Sequence, residues 1–185
     1  DFIQAKTLSE AKQQFVTLKD GVYKLSVPFH IESFDYFKNI DKEFAINILK
    51  SIAEKAKDNP KALKTIAYKL EEIGEFKNAK IIYQRLLSIR PLDEQSYRDL
   101  ALIYKENEDY DLAASLFDIM LNNKLKNVNM LGLQETVVNE AAHLYFTQLD
   151  KLTLTDFPLK TLKTYVPRND WRNFGFDYRI IFDWN

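Results

Sequence analysis

The sequence predicts an all-α fold, a superhelical stack of about three helical hairpins with a helix at each end and a short β-strand tail. Three observations predict it. From Pro60 to Asn123 the chain repeats itself at a spacing of 34 residues, which brings Ala113 onto Ala79, Phe117 onto Tyr83, Tyr104 onto Leu70 and Ala101 onto Ala67. The same spacing reaches back to Ala45, Leu49, Tyr36, Ser33 and Phe29, where small, aromatic and aliphatic types again match. Helix-start signals punctuate the units, with Asp41 placed to cap one helix and Asn59-Pro60 to open the next. A period of this length marks units that cannot bury their apolar face alone, so that stacking makes the core, and three units suffice.

Taken in order, Thr7 and Glu10 have the spacing of a capping box. Leu8, Ala11, Phe15 and Leu18 follow at helical spacing until Asp20-Gly21, a helix of about three turns. An extended linker over 22–27 completes a segment spanning residues 1–25, and Pro28 opens a new helix. The repeats are assigned to residues 26–59, 60–93 and 94–123. Residues 124–150 hold a polar loop and a capping helix with a stripe of Leu131, Gln134, Val138, Ala141, Ala142, Tyr145 and Leu149. Residues 151–185 are turn-rich, with Pro158 and Pro167, and end in the alternating stretch from Phe176 to Trp184, read as a strand. Its partners are absent from this sequence, so it is expected to begin a further domain. The start lacks both an initiator Met and a signal-peptide plan, and is read as processed or cut.

Composition narrows the function. With 185 residues, 46% hydrophobic and 29% charged, the chain fits one domain. Lys+Arg 26 against Asp+Glu 27 leave a net charge of −1, which points to neither nucleic acid nor an anionic membrane as partner. The absence of cysteine excludes disulfides, thiolate chemistry and cysteine-ligated zinc. No apolar run is long enough for a transmembrane helix. His30 and His143 lack a second histidine or cysteine at ligand spacing. The acidic pairs Glu71-Glu72, Asp93-Glu94 and Glu106/Glu108 are read as caps and solvated charges, and the four scattered glycines form no phosphate loop. No enzyme, metal or cofactor is expected. A catalytic or sugar-handling site around Trp171 and Trp184 is the minor alternative.

At the matched positions the chain resembles the tetratricopeptide repeat. The small residue of the first helix is Ser33, Ala67 and Ala101, and that of the second is Ala45, Ala79 and Ala113. The bulky position before the turn is Tyr36, Leu70 and Tyr104; the turn glycine is kept only as Gly74 and the closing proline only as Pro91. Small residues suit such crossings because a larger side chain would push the helix axes beyond about 8–10 Å.

The resemblance implies a concave groove lined by His30, Ile31, Phe34, Phe37 and Lys38, then Lys61, Lys64, Thr65, Tyr68 and Glu71, then Gln95, Arg98, Asp99, Leu102 and Lys105. The clamp with which chaperone-binding relatives grip a terminal carboxylate falls on His30, Phe34, Thr65, Gln95 and Asp99, and is missing. The expected function is a non-catalytic scaffold that accepts a protein helix or peptide, with Phe34, Phe37, Tyr68 and Leu102 as apolar anchors. The alternative is a spacer that orients neighbouring domains, and burial of the anchors under the N-terminal helix would favour it. Likeness to bacterial multidomain proteins, in which such an array precedes a β-rich domain, implies the periplasm or cell envelope.

Overall fold

The computed structural model describes residues 5–56, 58–122 and 132–153, and every regular element among them is helical. The helices are α1 (Leu8–Asp20), α2 (Val27–Phe37), α3 (Lys42–Ala56), α4 (Pro60–Glu72), α5 (Phe76–Ile89), α6 (Glu94–Glu106), α7 (Tyr110–Leu121) and α8 (Gln134–Thr147), followed by a 3-10 turn, Leu149–Lys151. From α2 to α8 each helix packs on the next, and α2 also touches α4. One apolar cluster runs through all of them.

The 34-residue register holds at the level of elements. Helices α4 and α6 start at Pro60 and Glu94 and end at Glu72 and Glu106, while α3, α5 and α7 start at Lys42, Phe76 and Tyr110. Ala45, Ala79 and Ala113 are all fully buried, as are Ser33, Ala67 and Ala101. Helix α1, expected as a separate N-terminal element, keeps the register of the second helices. It starts 34 residues before α3, and its buried Ala11 and Phe15 precede Ala45 and Leu49 by the same step. Lys12 of α1 pairs with Asp41 before α3, just as Lys80 of α5 pairs with Asp109 before α7.

Local chemistry explains the boundaries. The Thr7 hydroxyl accepts from Glu10 N at 3.2 Å, and the Glu10 carboxylate accepts from Lys6 N at 2.9 Å, a capping box displaced by one residue. Asn59 and Asp93 cap α4 and α6 through Ala62 N and Ser96 N, and the Asp41 carboxylate accepts from Phe44 N at 2.9 Å. The second hairpin turns at Gly74, φ 75, where Glu75 N donates to Leu70 O at 2.8 Å. The third turns in the same way at Glu108, φ 62, with Asp109 N on Tyr104 O at 2.9 Å. The first has no left-handed residue and closes through Asp41 N on Phe37 O at 2.8 Å.

Two expectations are corrected. The linker after α1 is not extended: residues 21–25 form consecutive turns, with Tyr23 N on Leu18 O and Ser26 N on Tyr23 O, and the Tyr23 ring stacks on Phe29. The capping helix is shorter and rotated. Its buried residues are Val137, Ala141, Ala142 and Leu144, whereas Gln134 is exposed and Val138 and Tyr145 are half-buried. The chain after α8 returns to α7, where Asp111 accepts from Thr153 N at 2.8 Å. The polar loop from 124, the tail strand and both tryptophans lie outside the described residues.

Candidate functional site

The expected groove face is built from the first helices α2, α4 and α6, and its residues recur in rows 34 apart. His30, Lys64 and Arg98 make one row; Phe34, Tyr68 and Leu102 make a second; Phe37, Glu71 and Lys105 make a third. The structure treats the three repeats differently.

In the first repeat the row is sealed. His30, Phe34 and Phe37 are each 0% exposed, so the three drop out as surface contacts. Phe15 of α1 lies against two of them, with ring centroids 5.9 Å from His30 and 6.3 Å from Phe37. Phe44 and Phe29 complete the cluster, each 5.6 Å from Phe15. The Phe34 ring is capped by the ammonium groups of Lys38 and Lys69, at 5.8 and 6.0 Å from its centroid. The positional assignment failed here because it took the α2 face as open, whereas α1 brings a phenylalanine across His30 and Phe37 and two lysines cap Phe34.

Lys38 and Lys69 belong to a four-residue network across the first and second repeats. Asp35 accepts from Lys38 at 3.0 Å and from Lys69 at 2.9 Å, and Glu72 accepts from Lys69 at 3.0 Å and also from Lys38. Asp35 and Lys69 are 34 residues apart, as are Lys38 and Glu72, so each position faces its own repeat-equivalent with the opposite charge. The two carboxyls are held below, and the two amines above, their ordinary ranges. Burial opposes the shift of Asp35 and of Lys69 and is outweighed by the hydrogen bonds.

The second and third repeats form the open part. Lys64 Nζ lies 3.0 Å from Asp99 Oδ2 and 5.5 Å from the centroid of the Tyr68 ring. Burial would lower the Lys64 pKa, but the Asp99 hydrogen bond and charge raise it overall. Asp99 also accepts from Gln95 Nε2 at 2.6 Å, so it is neutralised within the face. Arg98 makes a two-pronged contact with Glu140 of α8, Nε and Nη2 donating at 2.8 and 2.6 Å, which outweighs burial and raises its pKa. Glu71 accepts from the Tyr83 hydroxyl, whose pKa burial and that carboxylate push far up.

Tyr68 is 49% exposed and meets Tyr83 edge-on at 6.4 Å. Leu102, its equivalent in α6, is partly buried, and Lys105 lies near Glu106 at 3.8 Å. Lys61 and Thr65, two turns and one turn before Tyr68, are exposed, and Thr65 bonds back to Lys61 O at 3.0 Å. Of the expected set, the structure therefore joins Lys64, Tyr68 and Asp99 across α4 and α6, turns Arg98 to α8 and Glu71 to α5, and leaves Leu102 partly buried on α6. The cross-repeat pairs had no separate sequence signal except opposite charge at the repeat spacing, which Asp35/Lys69 and Lys38/Glu72 do carry.

Among the described residues no cluster of His, Asp or Glu could hold a metal ion, and no helix is long and apolar enough to cross a membrane. No protein-family model matches this sequence, and no curated protein matches it significantly.

Proposed function

We propose that the chain is a non-catalytic protein-interaction scaffold. In this reading its hairpins stack as a tetratricopeptide-like superhelix, and a peptide or amphipathic helix docks across α4 and α6. The observation that carries the reading is Tyr68. A large aromatic on the first helix of the middle repeat is left half uncovered, while its neighbours Lys64 and Asp99, and Arg98 and Glu140, are already paired with each other. A rigid aromatic flanked by internally neutralised charges is the chemistry of an interface anchor, because little charge must be desolvated when a partner covers it. Leu102 would extend the apolar contact, and Lys61 would meet polar groups at the rim.

The resemblance to bacterial multidomain proteins favours the periplasm or cell envelope for the scaffold, with the cytoplasm as the alternative. A specific observation also favours the spacer reading. Phe34 and Phe37 are buried, and Phe37 lies beneath α1, which removes half of the expected anchors.

The test is selection of binders from a displayed peptide library, followed by titration onto Tyr68→Ala combined with Leu102→Ala. Tyr68 is half exposed and Leu102 only partly buried, so helicity should be unchanged and affinity should fall by about 2 kcal/mol or more. Binders that ignore the double substitution would move the site elsewhere. A library that yields none would favour the spacer.

A further inference from the structure

His30 is the only histidine, lysine, arginine or carboxylate side chain among the described residues that is fully buried. Its Nδ1 lies 2.7 Å from the Ser26 carbonyl, which can only accept, so Nδ1 carries the proton of the neutral ring. Nε2 is then an acceptor, and it is buried without a hydrogen-bond partner. Rings stand around it: Phe15 of α1 meets it edge-on at 5.9 Å and Phe29 at 5.6 Å. The charges that act on it are those of Lys55 of α3 and Lys19 of α1, both cations. In the next two repeats the same register holds Lys64 and Arg98, each with a carboxylate partner, Asp99 and Glu140. The first repeat offers its basic side chain a phenylalanine from α1 instead.

A second proton on His30 would have to sit on Nε2, inside this aromatic wall and facing two ammonium groups. Moving α1 away eases both problems at once, because it withdraws Phe15 and Lys19 and admits water, leaving Phe29 and Lys55 in place. Gln14 Oε1 on α1 and Ser51 Oγ on α3 are also buried without hydrogen-bond partners. We infer that α1 is an acid-released cap, held over the α2–α3 end of the stack by neutral His30 and expelled when that ring is protonated, which uncovers Phe29, Phe37 and Phe44.

Burial, and then the two lysines, hold the His30 pKa below 6.5 despite the Ser26 hydrogen bond. The docked state therefore binds fewer protons than the released one. Docking is at full strength above about pH 6.5 and is lost as pH falls through the lowered value. The polar contact of α1 with the stack, Lys12 to Asp41, is not the group that titrates here, because the Lys12 hydrogen bond holds the Asp41 carboxyl below its ordinary value.

The experiment is amide exchange of the full chain at about pH 7.5 and about pH 5, corrected for intrinsic rates, with binding of an apolar dye as second readout. The opening constant of α1 should rise up to about thirtyfold over that span, dye fluorescence should rise with it, and α4 to α6 should keep their protection. His30→Phe should abolish the pH dependence. Should that variant fail to fold, the ring titration of the native chain by NMR decides instead: α1 opening must follow the His30 resonance. An α1 whose exchange is independent of pH, or whose opening persists unchanged in His30→Phe or tracks a different group, overturns the inference.

Discussion

Glu108 stands in the left-handed region at φ 62, the place that Gly74 fills one repeat earlier at φ 75. A side chain there crowds the following carbonyl, at a cost of about 1 kcal/mol that glycine avoids. Glu108→Gly should therefore stabilise the chain by about 1 kcal/mol in urea unfolding, and Gly74→Ala should destabilise it by about the same. The second comparison is clean, because a Cβ at Gly74 would meet nothing within 4 Å, leaving the backbone as the only source of cost. Gly74 could be read as a turn residue from its type. Glu108 could not, since nothing about a glutamate announces a positive φ, and only its place one repeat after Gly74 points to it. His30 was opaque for a different reason. Its neighbours in sequence do not include Phe15 or Lys55, which decide its environment.

At the scale of elements, the connection from α6 to α8 depends on the Arg98–Glu140 pair. Their side chains are only 17% and 11% exposed, so truncating Glu140 would take the carboxylate from a largely desolvated guanidinium, and truncating Arg98 would remove a two-pronged contact from a largely desolvated carboxylate. Arg98→Ala or Glu140→Ala should cost about 2 kcal/mol, less than a fully buried pair because some solvent reaches both. Arg98→Ala combined with Glu140→Ala should cost less than the sum of the two. Amide exchange would show the loss in α8 first, since α8 follows α7 at one end of the described stack and packs mainly on that helix. The helices themselves were largely legible. Capping residues Thr7, Asn59 and Asp93 and the 34-residue spacing locate most starts within a residue, because capping and periodicity are local physics. The rotation of α8 was not legible: Val138 and Val137 are adjacent and equally apolar, and which one faces inward depends on where α7 presents its surface. The groove assignment failed in the first repeat for the same kind of reason, since transferring positions from one repeat to another assumes the same neighbours, and α2 has α1 where α4 has α2 and α3.

Over the whole molecule, stability is distributed along a line, because each helix from α2 to α8 rests mainly on its sequence neighbours and long-range closure of the two ends is not seen among the described residues. In such a stack the effect of a cavity depends on its place as well as its volume. Leu70 of α4 and Leu144 of α8 are buried to within 1% of each other, and truncating either to alanine removes the same atoms. Each should cost about 2–5 kcal/mol at its own site. Helix α4 is central, however, packed against both α3 and α5, and it carries Lys69 and Glu72 of the network that ties the first repeat to the second. Leu70→Ala should therefore uncouple the two halves, so that denaturant unfolding monitored by amide exchange splits into two transitions with α2–α3 melting apart from α5–α7. Leu144→Ala should loosen α8 and leave a single transition for the rest. If both variants unfold in one step with every helix losing protection together, the molecule behaves as one cooperative unit, and linear coupling through α4 is the wrong description.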